Sequence, residues 1–381
     1  MSESGRLSIV SPDDQSVTFV ELFFDLVFVF SVTQVVGVLY HHLDWLGVAQ
    51  TVLIFWLVWW AWTQFTWALN AADTTHSGVQ LATLAATGVT FFMAVSIPRV
   101  FSGEAVWFAL PYTLVRVIGL GLYIRVSLAA GPEHRRAVRT FSLLSVGGLA
   151  AVLAGGFAGG PSIYWLWGLA ILLDLIAALV GGEIGDWNVH PDHFAERHGL
   201  FIIIALGETL IVAAGGLADA DITLSLSVVG AMAVAATCAL WWSYFSGAKQ
   251  RLDASLEEAE GVERTSIARD AYSLLHFPMI LGIIAFATGV EAAVHDPGHA
   301  LAMGARLALG AGMLLFTGSM ALALWRGTGR LPAARLLIGL MTALTIFSWP
   351  GAPPAALLAL VLLGAIAISW SERRGEAMST L

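Results

Sequence analysis

The residues with chemistry to offer are ionisable side chains set inside apolar runs, where each costs a few kcal/mol or more unless it meets a partner, water or protein. Glu21 and Asp25 open the first such run, and Glu196, Arg197, His198, Glu208 and Thr209 lie in another, while Arg116 and Asp174 occupy two more. Glu21 stands three residues after Thr18, and Thr-x-x-Glu is also a capping box, so helix capping is its plainer explanation. Asp25 has no such explanation, because it sits within Phe23 to Phe30 among aromatic and aliphatic residues. At about 100° per residue Glu21 and Asp25 share a helix face, Thr33 falls roughly 80° from Asp25, and Gln34 points nearly opposite. A single narrow polar stripe is excluded, and the first helix is expected to be surrounded by protein on most sides.

Glu208 interrupts the run Leu200 to Leu206 together with Gly207 and Thr209, about 18 Å of helical rise beyond Glu196 and close to mid-depth. Capping is not available there, and the choice lies between a functional acid and a structural hydrogen-bonded one. Arg116 and Asp174 each fall about eleven or twelve residues into spans running in the same direction, which predicts an intramembrane ion pair over two unrelated polar sites. Between the sixth and seventh spans come Glu183, Asp186, His190, Asp192, His193, Glu196, Arg197 and His198. Their spacing matches no established metal site, and a polar loop around Pro191 accounts for them, so neither metal nor cofactor is predicted. Asn70, Asp73 and His276 come at similar height to Glu21 and would form a vestibule with it, loop polarity being the simpler account of the first two. Trp56, Trp59 and Trp60 fall mid-span, where they either pack or line a cavity.

The elements that carry these residues follow from composition. Of 381 residues 58% are hydrophobic and only 12% charged, which excludes a water-soluble globule. The net charge of −9 supplies no basic face for nucleic acid, and the one cysteine, Cys238, supplies no disulfide framework. Apolar runs long enough to cross about 30 Å of hydrocarbon begin near Thr18, Leu46, Gly78, Glu104, Val138, Ile163, His198, Leu224, Asp270, Ala300, Leu336 and Ala355. The fold class is therefore all-α, a polytopic membrane protein of about twelve transmembrane helices whose first helix is not a cleaved signal. No nucleotide-binding loop or nucleophile elbow is present, so the chain does not drive transport with ATP by itself.

Fifteen of the 18 Lys and Arg residues then fall on one side: Arg6, the loop from Arg125 to Arg139, Arg197, the stretch Lys249 to Arg269, the stretch Arg326 to Arg335, and Arg373 with Arg374. Arg99 alone falls on the other. The positive-inside rule makes the first side cytoplasmic and puts both termini there, in the plasma membrane. The halves also rhyme. Glu21 precedes Thr33 and Gln34 by about the interval at which Glu196 precedes Glu208 and Thr209. Trp59, Trp60, Trp62 and Phe65 are echoed by Trp241, Trp242, Tyr244 and Phe245. A parallel six-plus-six internal repeat follows as an expectation, with a tail over 1–17, repeats over 18–181 and 182–371, and a tail over 372–381.

The segments Val17-Thr-Phe-Val-Glu-Leu-Phe-Phe-Asp-Leu-Val-Phe-Val-Phe and Glu196-Arg-His-Gly-Leu-Phe-Ile-Ile-Ile-Ala-Leu-Gly-Glu-Thr resemble the bacterial low temperature requirement protein A family. The resemblance covers nearly the whole chain and implies an integral membrane protein of many helices. The family brings no assigned substrate, hence no catalytic residues to carry over, but its motifs pass through Glu21, Asp25, Glu196, Arg197, His198 and Glu208. A secondary transporter or ion-conducting protein for a small solute or ion is the leading expectation, since carboxylates on the first and seventh helices suit a site at a repeat interface. The competing expectations are a membrane-embedded enzyme acting on a lipid or isoprenoid, its polar head formed by Asn70, Asp73, Asp186, His190 and His193, and a sensor or assembly factor in the membrane.

The charge count makes a direct prediction. Reporter fusions after Arg139, Arg264 and Arg335 report cytoplasm and fusions near Gly160 and Pro297 report the opposite side; one reversed reporter breaks the twelve-helix topology.

Overall fold

Long apolar stretches free of interior breakers have one stable form in hydrocarbon, the helix that satisfies its own backbone. The computed structural model describes residues 9–12, 15–130, 132–184, 187, 189–219 and 221–379. Over these it is helical, with one isolated bridge between Val10 and Ala72. The helices are α1 (Phe19–His41), α2 (Trp45–Ala71), α3 (Ser77–Ser96), α4 (Val106–Ala130), α5 (Pro132–Ala158), α6 (Ser162–Ile184) and α7 (Pro191–Asp219). They continue as α8 (Leu224–Phe245), α9 (Ala248–Glu258), α10 (Gly261–Ile267), α11 (His276–His295), α12 (Met303–Thr328), α13 (Ala333–Ser348) and α14 (Pro354–Ser379). Arg6 and Asp186 lie outside the described residues, as does the side chain of Glu183.

Among the described residues eleven helical segments are long and apolar enough to cross a membrane, and α13 is a shorter apolar helix of 16 residues, about 24 Å of rise. The twelve expected spans are therefore all helical, one of them short. The stretch from Lys249 to Arg269, expected from its charges to lie outside the spans, is α9 and α10 followed by a π-helical segment, Ala268–Leu274. Its pattern explains why: Ala248, Leu252 and Leu256 recur every fourth residue and are fully buried, giving α9 one apolar face. The His-rich segment before the seventh span is also not a loop. Pro191 is the first residue of α7, where its missing N–H costs nothing, so His193, Arg197 and His198 lie on the first two turns of a helix.

The chain forms two compact units, and each takes segments from both halves of the sequence. The first comprises Met1–Val35, Gln50–His198 and Leu256–Arg269; the second comprises Val36–Ala49, Gly199–Ser255 and Asp270–Leu381. In the first, α3, α4, α5 and α6 pack in chain order, each on the next, and α10 rests on α6. In the second, α11, α12, α13 and α14 pack in chain order and α8 lies on α14. The first helix is less enclosed than its polar residues suggest: Phe23 and Leu26 are more than half exposed, so its opening turns keep an apolar face opposite Glu21 and Asp25. The most buried span of the first unit is α2, at 72%.

Helices α11 and α12 meet backbone to backbone at Gly282 and Gly312. A Cβ on Gly312 would lie 2.7 Å from both the carbonyl oxygen of Gly282 and the amide nitrogen of Phe286, atoms that cannot rotate away. Small residues at such a crossing let two helices approach and gain dispersion contacts along their length. Gly312→Ala is therefore expected to destabilise the protein by about 1 to 3 kcal/mol in thermal unfolding in detergent. Gly318→Ala, with nothing within 4 Å of the new methyl group, is expected to be neutral or slightly stabilising.

Candidate functional site

The site is built by residues of α1, α2 and the first two turns of α7 that belong to the first unit. Asn70, near the end of α2, pins the approach to α7: its Oδ1 accepts from the backbone N–H of His190 at 3.0 Å and its Nδ2 donates to the carbonyl of the same residue at 3.0 Å. Those two bonds fix which end of the amide is which. The second hydrogen of Nδ2 then points to Nδ1 of His193, 3.1 Å away, so Nδ1 is an acceptor and carries no proton. The proton of His193 is on Nε2, which donates to Oε1 of Glu21 at 2.9 Å. His193 is thus a neutral imidazole held in one tautomer by Asn70.

Glu21 divides its two oxygens between two tasks. Oε2 accepts from the backbone N–H and the hydroxyl of Thr18, both at 2.9 Å, which is the capping role read from the sequence. Oε1 faces His193 and, at 3.5 Å, Nη1 of Arg197. One turn further along α1, Oδ1 of Asp25 accepts from Nη2 of Arg197 and from the indole N–H of Trp62 at 2.7 Å. The guanidinium lies over the Trp62 ring at 5.5 Å, and His198, donating through Nδ1 to the carbonyl of Phe194 at 2.9 Å, packs edge-on against Trp62 and Trp59. Glu21, Asp25, His193, Arg197 and His198 are all fully buried.

The register follows from two i,i+4 pairs, Glu21 with Asp25 on α1 and His193 with Arg197 on α7, each placing its members on one helix face. The charge does not balance. Two carboxylates share one guanidinium, the imidazole is neutral, and Oδ2 of Asp25 and Nε of Arg197 are buried without a hydrogen bond.

A second buried cluster lies in the same unit. Arg116 on α4 and Asp174 on α6 form the ion pair that their matched depth predicts, Nη2 to Oδ1 at 3.0 Å and Nη1 to Oδ2 at 3.4 Å, with both side chains at most 2% exposed. Nη1 also donates to the Tyr112 hydroxyl at 2.6 Å, Nε donates to Gln64, and Gln64 returns a bond to the Arg116 carbonyl at 3.0 Å. Trp56 and Trp60, stacked with centroids 5.3 Å apart, bring their indole N–H groups toward Asp174. This cluster has one cation and one anion and is closed.

The remaining expected residues divide. Glu196 is exposed and stands apart from the buried cluster on α7. Thr33 is half-buried and returns its hydroxyl to the carbonyl of Val29 at 3.3 Å, Gln34 is also half-buried, and Asp73 caps a turn through Thr75. Glu208 and Thr209 are buried farther along α7 in the second unit, where Glu208 interacts electrostatically with Glu291 of α11. His276 bonds to the hydroxyl of Tyr244 at 2.8 Å in that same unit. Trp62, Gln64 and Tyr112 belong to the clusters and carry no signal in sequence beyond their helical offsets. Among the described residues no three His, Cys, Asp or Glu side chains converge as metal ligands do.

The model of the family described as bacterial low temperature requirement A protein (LtrA) matches residues 16–370. The chain belongs to the LtrA family. An uncharacterized protein of Rhizobium meliloti (strain 1021) is 28% identical over 298 residues, covering 75% of this chain and 71% of that one. No solved structure matches the chain. The LtrA match spans both polar segments, Glu21 to Asp25 and His193 to Arg197, that form the buried cluster.

The closed cluster offers the clearer energetic test. Arg116→Met or Asp174→Leu alone leaves a buried charge without its partner and is expected to cost about 3 to 5 kcal/mol, whereas the double variant should recover most of that loss. Chemical unfolding in detergent of the four proteins measures it, and a double variant no more stable than either single one would show that the pair is not coupled.

Proposed function

We propose that this LtrA-family protein is a proton-coupled secondary transporter or ion-conducting protein, with the Glu21–Asp25–Arg197–His193 cluster as its proton-binding element. The observation that carries this reading is the charge count of the buried cluster. Two carboxylates facing a single arginine leave one negative charge in low dielectric, and binding one proton or one small cation neutralises it. Structural ion pairs, such as Arg116 with Asp174, balance without help.

Glu208 is the second titratable element of the proposal, a buried carboxylate on α7 interacting with the half-buried Glu291. The proposal includes a parallel repeat of six helices, supported by the like order of packing of α3 to α6 in one unit and α11 to α14 in the other. It also includes cytoplasmic termini, supported by the distribution of Lys and Arg. The enzyme alternative needs Asn70 and His193 presented to a lipid head group, and both are buried and bonded to each other, which favours transport.

Purified protein in liposomes, with proton and alkali-cation flux followed by dyes, tests the reading. The wild type is expected to move protons or cations down an imposed gradient. Asp25→Asn, which keeps an acceptor for Trp62 while removing the excess charge, and Glu208→Gln, which keeps the shape of a neutral acid, are each expected to lower proton-coupled flux at least about ten-fold with normal yield of folded protein. Flux at the wild-type level in both variants would remove the carboxylates from the mechanism.

A further inference from the structure

In the second unit α8 lies along α14. Each presents a stripe to a shallow groove between them. On α8 the stripe runs from Ala239 through Trp242 to Ser246; on α14 it runs from Ile366 through Trp370 to Arg373. Each stripe spans eight residues, about 10 Å of rise, and passes from aliphatic through indole to polar or charged. The groove comprises two depressions of about 430 and 450 Å³ that share Trp242 and Arg373, and Gly247 with Gln250 of the first turn of α9 closes the polar end.

The charged end carries two guanidinium groups, those of Arg373 and Arg374. Arg373 lies over Trp242 at 5.1 Å and Arg374 over Trp370 at 3.6 Å, so each guanidinium rests on an indole face. Among the described residues neither is paired with a carboxylate. Glu372, the adjacent acid, is taken by Arg335 at 2.7 Å and by Arg251 at 2.8 Å. Ile366, Trp242 and Trp370 are 50%, 47% and 57% exposed on segments apolar enough to span a membrane, so an occupant of the groove arrives from the bilayer.

We propose that this groove binds an anionic phospholipid, with an acyl chain along Ala239 and Ile366, the glycerol backbone between Trp242 and Trp370, and the phosphodiester at Arg373. The change from aliphatic to aromatic to cationic lining over about 10 Å follows the order of groups along such a lipid, and the unneutralised guanidinium selects a net negative head group over a zwitterionic one. This site is separate from the buried carboxylate cluster and does not depend on the transport reading.

Native mass spectrometry of the full chain, released from nanodiscs of equimolar phosphatidylglycerol and phosphatidylcholine, tests it. The wild type is expected to retain phosphatidylglycerol in excess. Arg373→Gln is expected to lower the ratio of the two retained lipids about five-fold, because one basic side chain at a membrane surface contributes on that order. Trp242→Leu, which removes the ring beneath Arg373, is expected to lower it as well. Both substitutions are at exposed positions, and a monodisperse gel-filtration profile checks that they fold. Equal retention of the two lipids by the wild type, or an unchanged ratio in Arg373→Gln, overturns the proposal.

Discussion

A guanidinium buried in a membrane-spanning bundle has to find its partners on other elements, and Arg197 faces Glu21 and Asp25 of α1 and lies over Trp62 of α2. The arrangement is demanding. α1 must present Glu21 and Asp25 on one face, α2 must bring Trp62 under the guanidinium, and α7 must begin early enough for Arg197 to be in its second turn. Each helix is thereby fixed in rotation and in depth relative to the other two. Removing the cation would strand two carboxylates in low dielectric, which is a far larger penalty than the loss of any single apolar contact in the same helices. Asn70 is the quiet member of this set. It touches neither acid, yet by holding the backbone of His190 and the ring of His193 it decides that Glu21 meets a neutral N–H donor and not a second cation.

Much of this was legible in the chain. Apolar run lengths and the distribution of basic residues suffice for a polytopic helical protein, and matched depth within parallel spans suffices to pair Arg116 with Asp174. The failures have a common physical cause, which is that charge was read as a sign of exposure. His190 to His198 reads as a loop because it is polar, but Pro191 is a helix-opening residue and every fourth position after His193 faces inward. Lys249 to Arg269 is just as rich in charge, yet Ala248, Leu252 and Leu256 carry a helical apolar stripe there. The pairing of Glu21 with His193 and of Asp25 with Arg197 could not be read from spacing, because each joins residues 172 positions apart.

The two polar clusters of the first unit show how differently buried charge can be used. Around Asp174 the carboxylate has its counterpart in Arg116, and Gln64 and Tyr112 take up further bonding capacity of the guanidinium, so no protonation change is favoured by balance. Such a cluster specifies how α2, α4 and α6 pack. Around Arg197 the sum is one anion too many, and the surplus falls on Asp25, whose second oxygen accepts no hydrogen bond. On the proposed reading that second oxygen is where an added proton or small cation would bind.

What keeps the surplus charge from being prohibitive is the direction of the helices. Glu21 is in the first turn of α1, and the groups that face it, His193 and Arg197, are in the first two turns of α7. The carboxylates therefore lie near two helix N-termini, whose unpaired N–H groups and aligned peptide dipoles favour anions by about 0.3 to 1 kcal/mol each, and more where partly buried. That contribution is smaller than the cost of a buried unpaired carboxylate, so it narrows the gap between the cluster with and without an added proton but does not close it. A group whose two protonation states are brought near each other in energy exchanges its proton readily, whereas one held far to either side does not. The convergence of two helix starts on an acid pair with one arginine thus lowers the cost of the buried charge, which is the condition that the proposed proton exchange requires.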